Sequence, residues 1–141
     1  MVAPTTIDTR IVNALGEIPR IARMVEALGA DHHLPSDVVY DLQLALEEIL
    51  TNVITHGYPD DQVHHISIRL TLDAGLVTAE IQDDGRPFNP LDAPRPDLRT
   101  SLKDRPVGGL GILFVRTLMD EVEYERAENL NRLVLRKRTA Q

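Results

Sequence analysis

Glu48 and Asn52 lie four residues apart in the run LEEILTNVITHGY, residues 46 to 58. In a helix, that spacing makes the two side chains neighbours on one face. A carboxylate can orient or deprotonate a hydroxyl, and an amide oxygen is a suitable hard ligand for magnesium. Glu47 lies about 100° further round the helix and reads as a solvated neighbour. Taken alone, Glu48 and Asn52 read more readily as the exposed polar edge of an amphipathic helix.

Two further stretches could do chemistry. IQDDGRPFNP, residues 81 to 90, ends an alternating run in two aspartates and a glycine. An aspartate at a strand end can accept a hydrogen bond from an exocyclic amino group, and a glycine permits close approach of a flat ligand to the backbone. The same Asp-Gly pair is also a common turn signal. VGGLGIL, residues 107 to 113, places glycines at a loop-to-helix junction, where amide N–H groups and the helix dipole at Gly109, Leu110 and Gly111 could hold a phosphate chain. Its spacing matches neither the P-loop nor the dinucleotide-binding pattern.

The elements that must position these residues follow from periodicity. Residues 5 to 12 alternate and predict a first strand; EIPRIARMVEALGA carries Ile21, Met24, Val25 and Leu28 at helical spacing, with Gly29 as its expected stop. A second helix is expected from Ser36, as the capping residue, to about His56, with a buried stripe of Val39, Leu42, Leu46, Ile49 and Val53. Period-two alternation then gives strands through Ile66–Leu72 and Leu76–Ile81, joined by a hairpin turn at residues 73 to 75. A long loop with five prolines occupies residues 84 to 107, a helix is expected to follow the glycines, and two final strands fit EVEYERA and NRLVLRKR. The order β-α-α-β-β-loop-α-β-β implies an α+β fold, a two-layer α/β sandwich with helices on one face of a mixed, mostly antiparallel sheet.

Length and composition narrow the function classes. A chain of 141 residues with 43% hydrophobic residues fits a single domain, 1–141. The absence of cysteine removes disulfides, thiolate metal sites and a cysteine nucleophile, and fits a reducing cytoplasm. A formal charge of −7 argues against direct nucleic-acid binding or an anionic membrane surface. The start lacks the pattern of a secretory signal, and no apolar run approaches a membrane span, so a cytoplasmic protein is expected.

E-x-x-x-N at residues 48–52, D-x-G at 83–85 and G-x-G at 109–111 occur in the order that resembles the GHKL ATPases, the superfamily of gyrase, histidine kinases and MutL. The resemblance covers nearly the whole chain and implies the Bergerat ATP-binding fold. EEILTNVITHGY, DDGRPFNP and GGLGILFVRTLMDEVEY are most similar to the anti-sigma-factor serine kinase branch, of the RsbW and SpoIIAB type. The resemblance implies Glu48 as general base, Asn52 as magnesium ligand, Asp83 as the adenine-recognising acid, Gly85 as the glycine of the D-x-G box, and Gly109 and Gly111 as part of the phosphate-binding box. Pro87 replaces a second glycine common in the superfamily. Arg99, Lys103 and Arg105 fall in the lid loop, where they could meet phosphates.

ATP and Mg2+ are the implied cofactors. The implied partners are a STAS-type anti-anti-sigma protein, as phosphate acceptor, and a sigma factor; a homodimer is also implied as an assembly. Two other readings stand beside the kinase: a nucleotide-binding module that sequesters a partner without phosphorylating it, and a simple ATP hydrolase. The pairs His32-His33 and His64-His65 lack the spacing of a zinc site, and His56 reads as a polar group at a helix end. Ser67 and Ser101 lack a nucleophile elbow.

Overall fold

The computed structural model describes residues 3–89 and 115–140. Strand β1 (Thr5–Val12) leads through a short 3-10 turn (Leu15–Glu17) into helix α1 (Ile18–Asp31) and helix α2 (Ser36–His56). Strands β2 (His65–Asp73) and β3 (Leu76–Asp83) follow, and β4 (Glu121–Ala127) and β5 (Leu130–Arg138) complete the sheet. Residues 115–118 are helical, as expected of the segment before β4. The predicted glycine box at Gly109, Leu110 and Gly111, together with Arg99, Lys103 and Arg105, lies outside the described residues.

The strands are ordered β1-β2-β3-β5-β4 and every pairing is antiparallel. The expected two-layer sandwich is borne out, although the described strands contain no parallel pair. Both tight hairpins are two-residue loops with left-handed backbone, Ala74-Gly75 (φ 50° and 77°) and Glu128-Asn129 (φ 54° and 65°). That geometry matches the right-handed twist of the flanking strands. It fixes register, and register decides which side chains face inward.

The core lies between the helices and one face of the sheet. Ile21, Val25 and Leu28 of α1 and Leu42, Leu46, Ile49 and Leu50 of α2 pack on Ile66, Ile68 and Leu70 of β2, Ala79 and Ile81 of β3, and Leu133 and Leu135 of β5. Each of the valine, leucine and isoleucine side chains contributes about 1.5–3 kcal/mol by leaving water. Val39 and Val53, expected in the buried stripe, are only partly buried at its margins, while Val38, Ala45 and Leu50 are fully inside. The buried surface of α2 is therefore rotated and widened relative to the expected stripe.

Two expected helix boundaries are corrected. Gly29 does not stop α1 but sits buried within it, where an added Cβ would lie 2.4 Å from Val39 Cγ2. Its missing side chain lets α1 and α2 approach. The stop falls instead at His33, whose left-handed backbone (φ 54°) allows the Leu34 N–H to reach the Gly29 carbonyl at 2.9 Å. At the start of α2, Pro35 holds the cap position with ψ 143°, and Ser36 is the first helical residue rather than the cap.

Candidate functional site

Helix α2 presents Glu48 and Asn52 on one side, as the spacing requires, while Glu47 is exposed. Asn52 is buried, and its Nδ2 donates to the Glu48 backbone carbonyl and to Glu48 Oε1, each at 2.8 Å. Both amide hydrogens are thus committed one turn back along the helix. That fixes the rotamer and turns Oδ1, the hard acceptor, the other way. Among the described residues no donor is directed at it.

Strand β3 alternates so that Val77, Ala79, Ile81 and Asp83 all face inward. A carboxylate is thereby carried into the covered layer, at 5% exposure. Burial pushes the Asp83 carboxyl above its ordinary range, opposed by hydrogen bonds from Asn131 and the Gly85 N–H. Gly85 N donates to Asp83 Oδ1 at 2.9 Å and Asn131 Nδ2 donates to the same oxygen at 3.0 Å. Among the described residues Asp83 Oδ2 receives no donor, so it can accept one.

The turn after Asp83 is tied to the end of α2. Arg86 donates from its backbone N–H to the Gly57 carbonyl (2.8 Å) and from Nε to the His56 carbonyl (2.6 Å). A cation at a helix C-terminus is favourable and satisfies carbonyls left open there. Gly85 is required for this approach: an added Cβ would lie 2.6 Å from the Gly57 carbonyl oxygen. The absence of a side chain at Gly85 thus lets the Gly57 backbone come close. Arg126 of β4 closes the turn by donating to the Gly85 carbonyl at 2.7 Å.

Asn52 and Asp83, 31 positions apart, line one small cavity with Ile49, Ile81, Tyr124 and Asn131. An adjoining cavity shares Asn52, Asp83 and Asn131 and adds Gly57 and Arg86. Phe88 lines both and is 44% exposed, at their solvent edge. Glu48 reaches this region through its bond to Asn52. Residues 115–118 are tied to β5 and α2: Lys137 Nζ donates to the Leu118 carbonyl at 2.6 Å and pairs with Asp41 of α2 at 3.3 Å.

Several participants escaped the sequence reading. Asn131, Arg86 and Arg126 are polar residues at strand ends and turns, with no local signal separating them from solvated neighbours. A cluster beside the site was also missed. His64 stacks on Tyr58 (ring centroids 4.4 Å apart) and contacts Asp60 at 2.8 Å and Asp84 at 3.3 Å. The hydrogen bond to Asp60 is the main cause that raises the His64 pKa. Burial, then the Asp83 and Asp84 charges, push the Tyr58 phenol up.

Known proteins share sequence and fold with this chain. The serine/threonine-protein kinase BtrW of Bordetella bronchiseptica is 30% identical over 101 residues, covering 72% of this chain and 71% of that protein. An anti-sigma F factor of a Thermoanaerobacter species is 27% identical over 111 residues, covering 79% of this chain and 77% of that one. The crystal structure of the RsbU and RsbW domains of a Mycobacterium tuberculosis protein has the same fold, with a TM-score of 0.67 at 14% identity. It covers 97% of this chain, which spans 33% of the length of that one. The family model of the histidine kinase-like ATPase domain matches residues 11–137, and the chain belongs to that family.

Proposed function

We propose that this chain is an ATP-binding regulatory protein, an anti-sigma-type kinase that phosphorylates a serine or threonine of an antagonist protein. The observation that carries the reading is the shared cavity of Asn52 and Asp83, with Glu48 one helical turn from Asn52 and, among the described residues, no donor on Asn52 Oδ1 or Asp83 Oδ2. Asp83 Oδ2 accepts from the adenine amino group. Asn52 Oδ1 is a hard oxygen of the kind magnesium takes, and the ion, when bound, neutralises charge on the phosphates. Gly85 keeps the turn close to α2.

Glu48 orients the partner's hydroxyl and receives its proton as the oxygen bonds to the γ-phosphorus; the bond from that phosphorus to the β–γ bridging oxygen breaks and ADP leaves. Gly109, Leu110 and Gly111 are proposed to hold the phosphate chain, with Lys103 and Arg105 of the intervening loop. Similarity to proteins named as an anti-sigma F factor and as the serine-protein kinase RsbW of Bacillus subtilis supports a sigma factor and a STAS-type anti-anti-sigma protein as partners, in the cytoplasm.

Two measurements test this. Calorimetric titration is expected to show ATP binding that weakens without magnesium, and GTP binding far weaker than ATP. Labelled ATP, magnesium and candidate antagonists are expected to yield a phosphoserine or phosphothreonine product. Binding with no phosphoprotein across the antagonists tested would favour a sequestering module, and phosphate release without a partner would favour a hydrolase.

A further inference from the structure

We infer that Asn131 is a positioning residue for base recognition: by occupying one oxygen of Asp83 it keeps the other as a fixed acceptor, and so sets the preference for a 6-amino over a 6-oxo purine. The inference rests on the nucleotide-binding reading above and names a determinant within it.

The antiparallel register places Asn131 directly opposite Asp83, and the side chain is 6% exposed. Its Nδ2 donates to Asp83 Oδ1 at 3.0 Å and to the Arg86 carbonyl at 2.9 Å, with the Gly85 carbonyl at 3.5 Å. Its Oδ1 accepts from the Tyr124 hydroxyl. The amide can face only one way, because a flip would set its oxygen against a carboxylate and two carbonyls. Asp83 Oδ1 is thus held by two N–H donors, Asn131 and Gly85, and a proton on that oxygen would oppose both.

The consequence falls on Oδ2. While Asp83 is ionised, Oδ2 only accepts, which suits an exocyclic amino group and rejects a ring carbonyl. A protonated Asp83 would carry its hydrogen on Oδ2 and donate, which suits the carbonyl instead. Burial favours the protonated form, and the donors oppose it. Among the described residues, the charged and titratable groups facing Asp83 are Asp84 on its own segment, Arg126 of β4, the Tyr58 phenol after α2, and Arg86 and His56, which line a cavity with it. Asn52 of α2 and the apolar Ile66 of β2 complete its surroundings.

The test compares ATP and GTP affinity of the full chain as pH is lowered from neutral, the direction in which a carboxyl with a raised pKa takes up its proton. Asn131→Leu is expected to lower the ATP-to-GTP preference about tenfold, since it removes a hydrogen bond to a charged group. Its ATP affinity should also fall more steeply than that of the wild type as pH drops. Tyr124→Phe, which frees the amide oxygen, should shift both readouts the same way by a smaller factor. A folded Asn131→Leu protein with wild-type preference and wild-type pH profile overturns the inference. Should that variant not fold, Tyr124→Phe decides: an unchanged preference and profile overturns it. Wild-type protein that binds neither nucleotide overturns the nucleotide reading and this inference together, whereas wild-type preference for ATP shared by the variants overturns this inference alone.

Discussion

On the open face of the sheet, Arg69 of β2 pairs with Asp8 of β1, and Arg132 of β5 pairs with Glu80 of β3 and Glu125 of β4. At the covered end, Asp83 and Asn131, at 5% and 6% exposure, share one hydrogen bond across β3 and β5. Both groups join charged or polar side chains across neighbouring strands. They differ in solvent. Charges on the open face retain water, so each pair is weakly coupled and every carboxylate can be served by the solvent as well as by an arginine. Around Asp83, water is largely excluded, so each donor and acceptor must be met by protein or by a ligand. That Oδ2 receives no donor among the described residues has chemical meaning there that it would lack on the open face.

Substitutions should break this contrast in a graded way. Glu48→Ala has the largest expected effect, a loss of roughly 100-fold or more in phosphotransfer, as for removal of a general base, with nucleotide affinity little changed. Transfer at the wild-type rate would rule out the proposed role of Glu48. Asp83→Asn should weaken ATP binding about tenfold or more, because it replaces an acceptor-only carboxylate by an amide. Calorimetry giving wild-type affinity would show that the purine is oriented otherwise. Gly85→Val comes next: the Cβ would lie 2.6 Å from the Gly57 carbonyl, and crowding of this kind costs about 1–3 kcal/mol in a denaturant titration.

The open face supplies the smallest expected effect. A double-mutant cycle on Glu80 and Arg132 should give a coupling of about 1 kcal/mol or less, reduced further by added salt. A larger, salt-insensitive coupling would mean that the two faces are not distinct in the way their exposure implies.

His64 tests the boundary between the regimes, since it joins the segment after α2 to Asp84 beside the site. Its folded pKa is raised above 6.5, chiefly by the hydrogen bond to Asp60. The stabilisation it supplies is therefore present below the unfolded value and is lost as pH rises through the folded value. Thermal unfolding of the wild type should show this loss in the interval above about pH 6.5, and His64→Gln should flatten it. Identical profiles for the two proteins would show that the His64 contacts contribute nothing to folding.

Much of the fold was legible because burial leaves a periodic trace. The alternation from Ile66 to Leu72 and the run through Ile81 predicted β2 and β3, and the helical spacing in residues 46–56 predicted α2 and the neighbouring Glu48 and Asn52. Gly29 was misread because the same residue type serves as a helix stop and as a place for helices to meet, and only Val39, from the next helix, distinguishes these uses. Asn131 was missed for a related reason. As the second residue of β5 it has no local signature, and its bond to Asp83 spans 48 positions.

The sequence by itself determined the alternation that carries Asp83 inward, the turn that sets Glu48 beside Asn52, and the order of the three boxes. These are local regularities, fixed by the periods of the strand and the helix. The tertiary structure decided that Gly85 and Asn131 hold the same oxygen of Asp83. That choice depends on the register between β3 and β5, on the Gly57 carbonyl meeting Gly85, and on Arg86 crossing to the end of α2, contacts between segments far apart in the chain. Hydrogen bonds are short and directional, so their partners are settled only when packing has brought distant backbone to within a few ångströms.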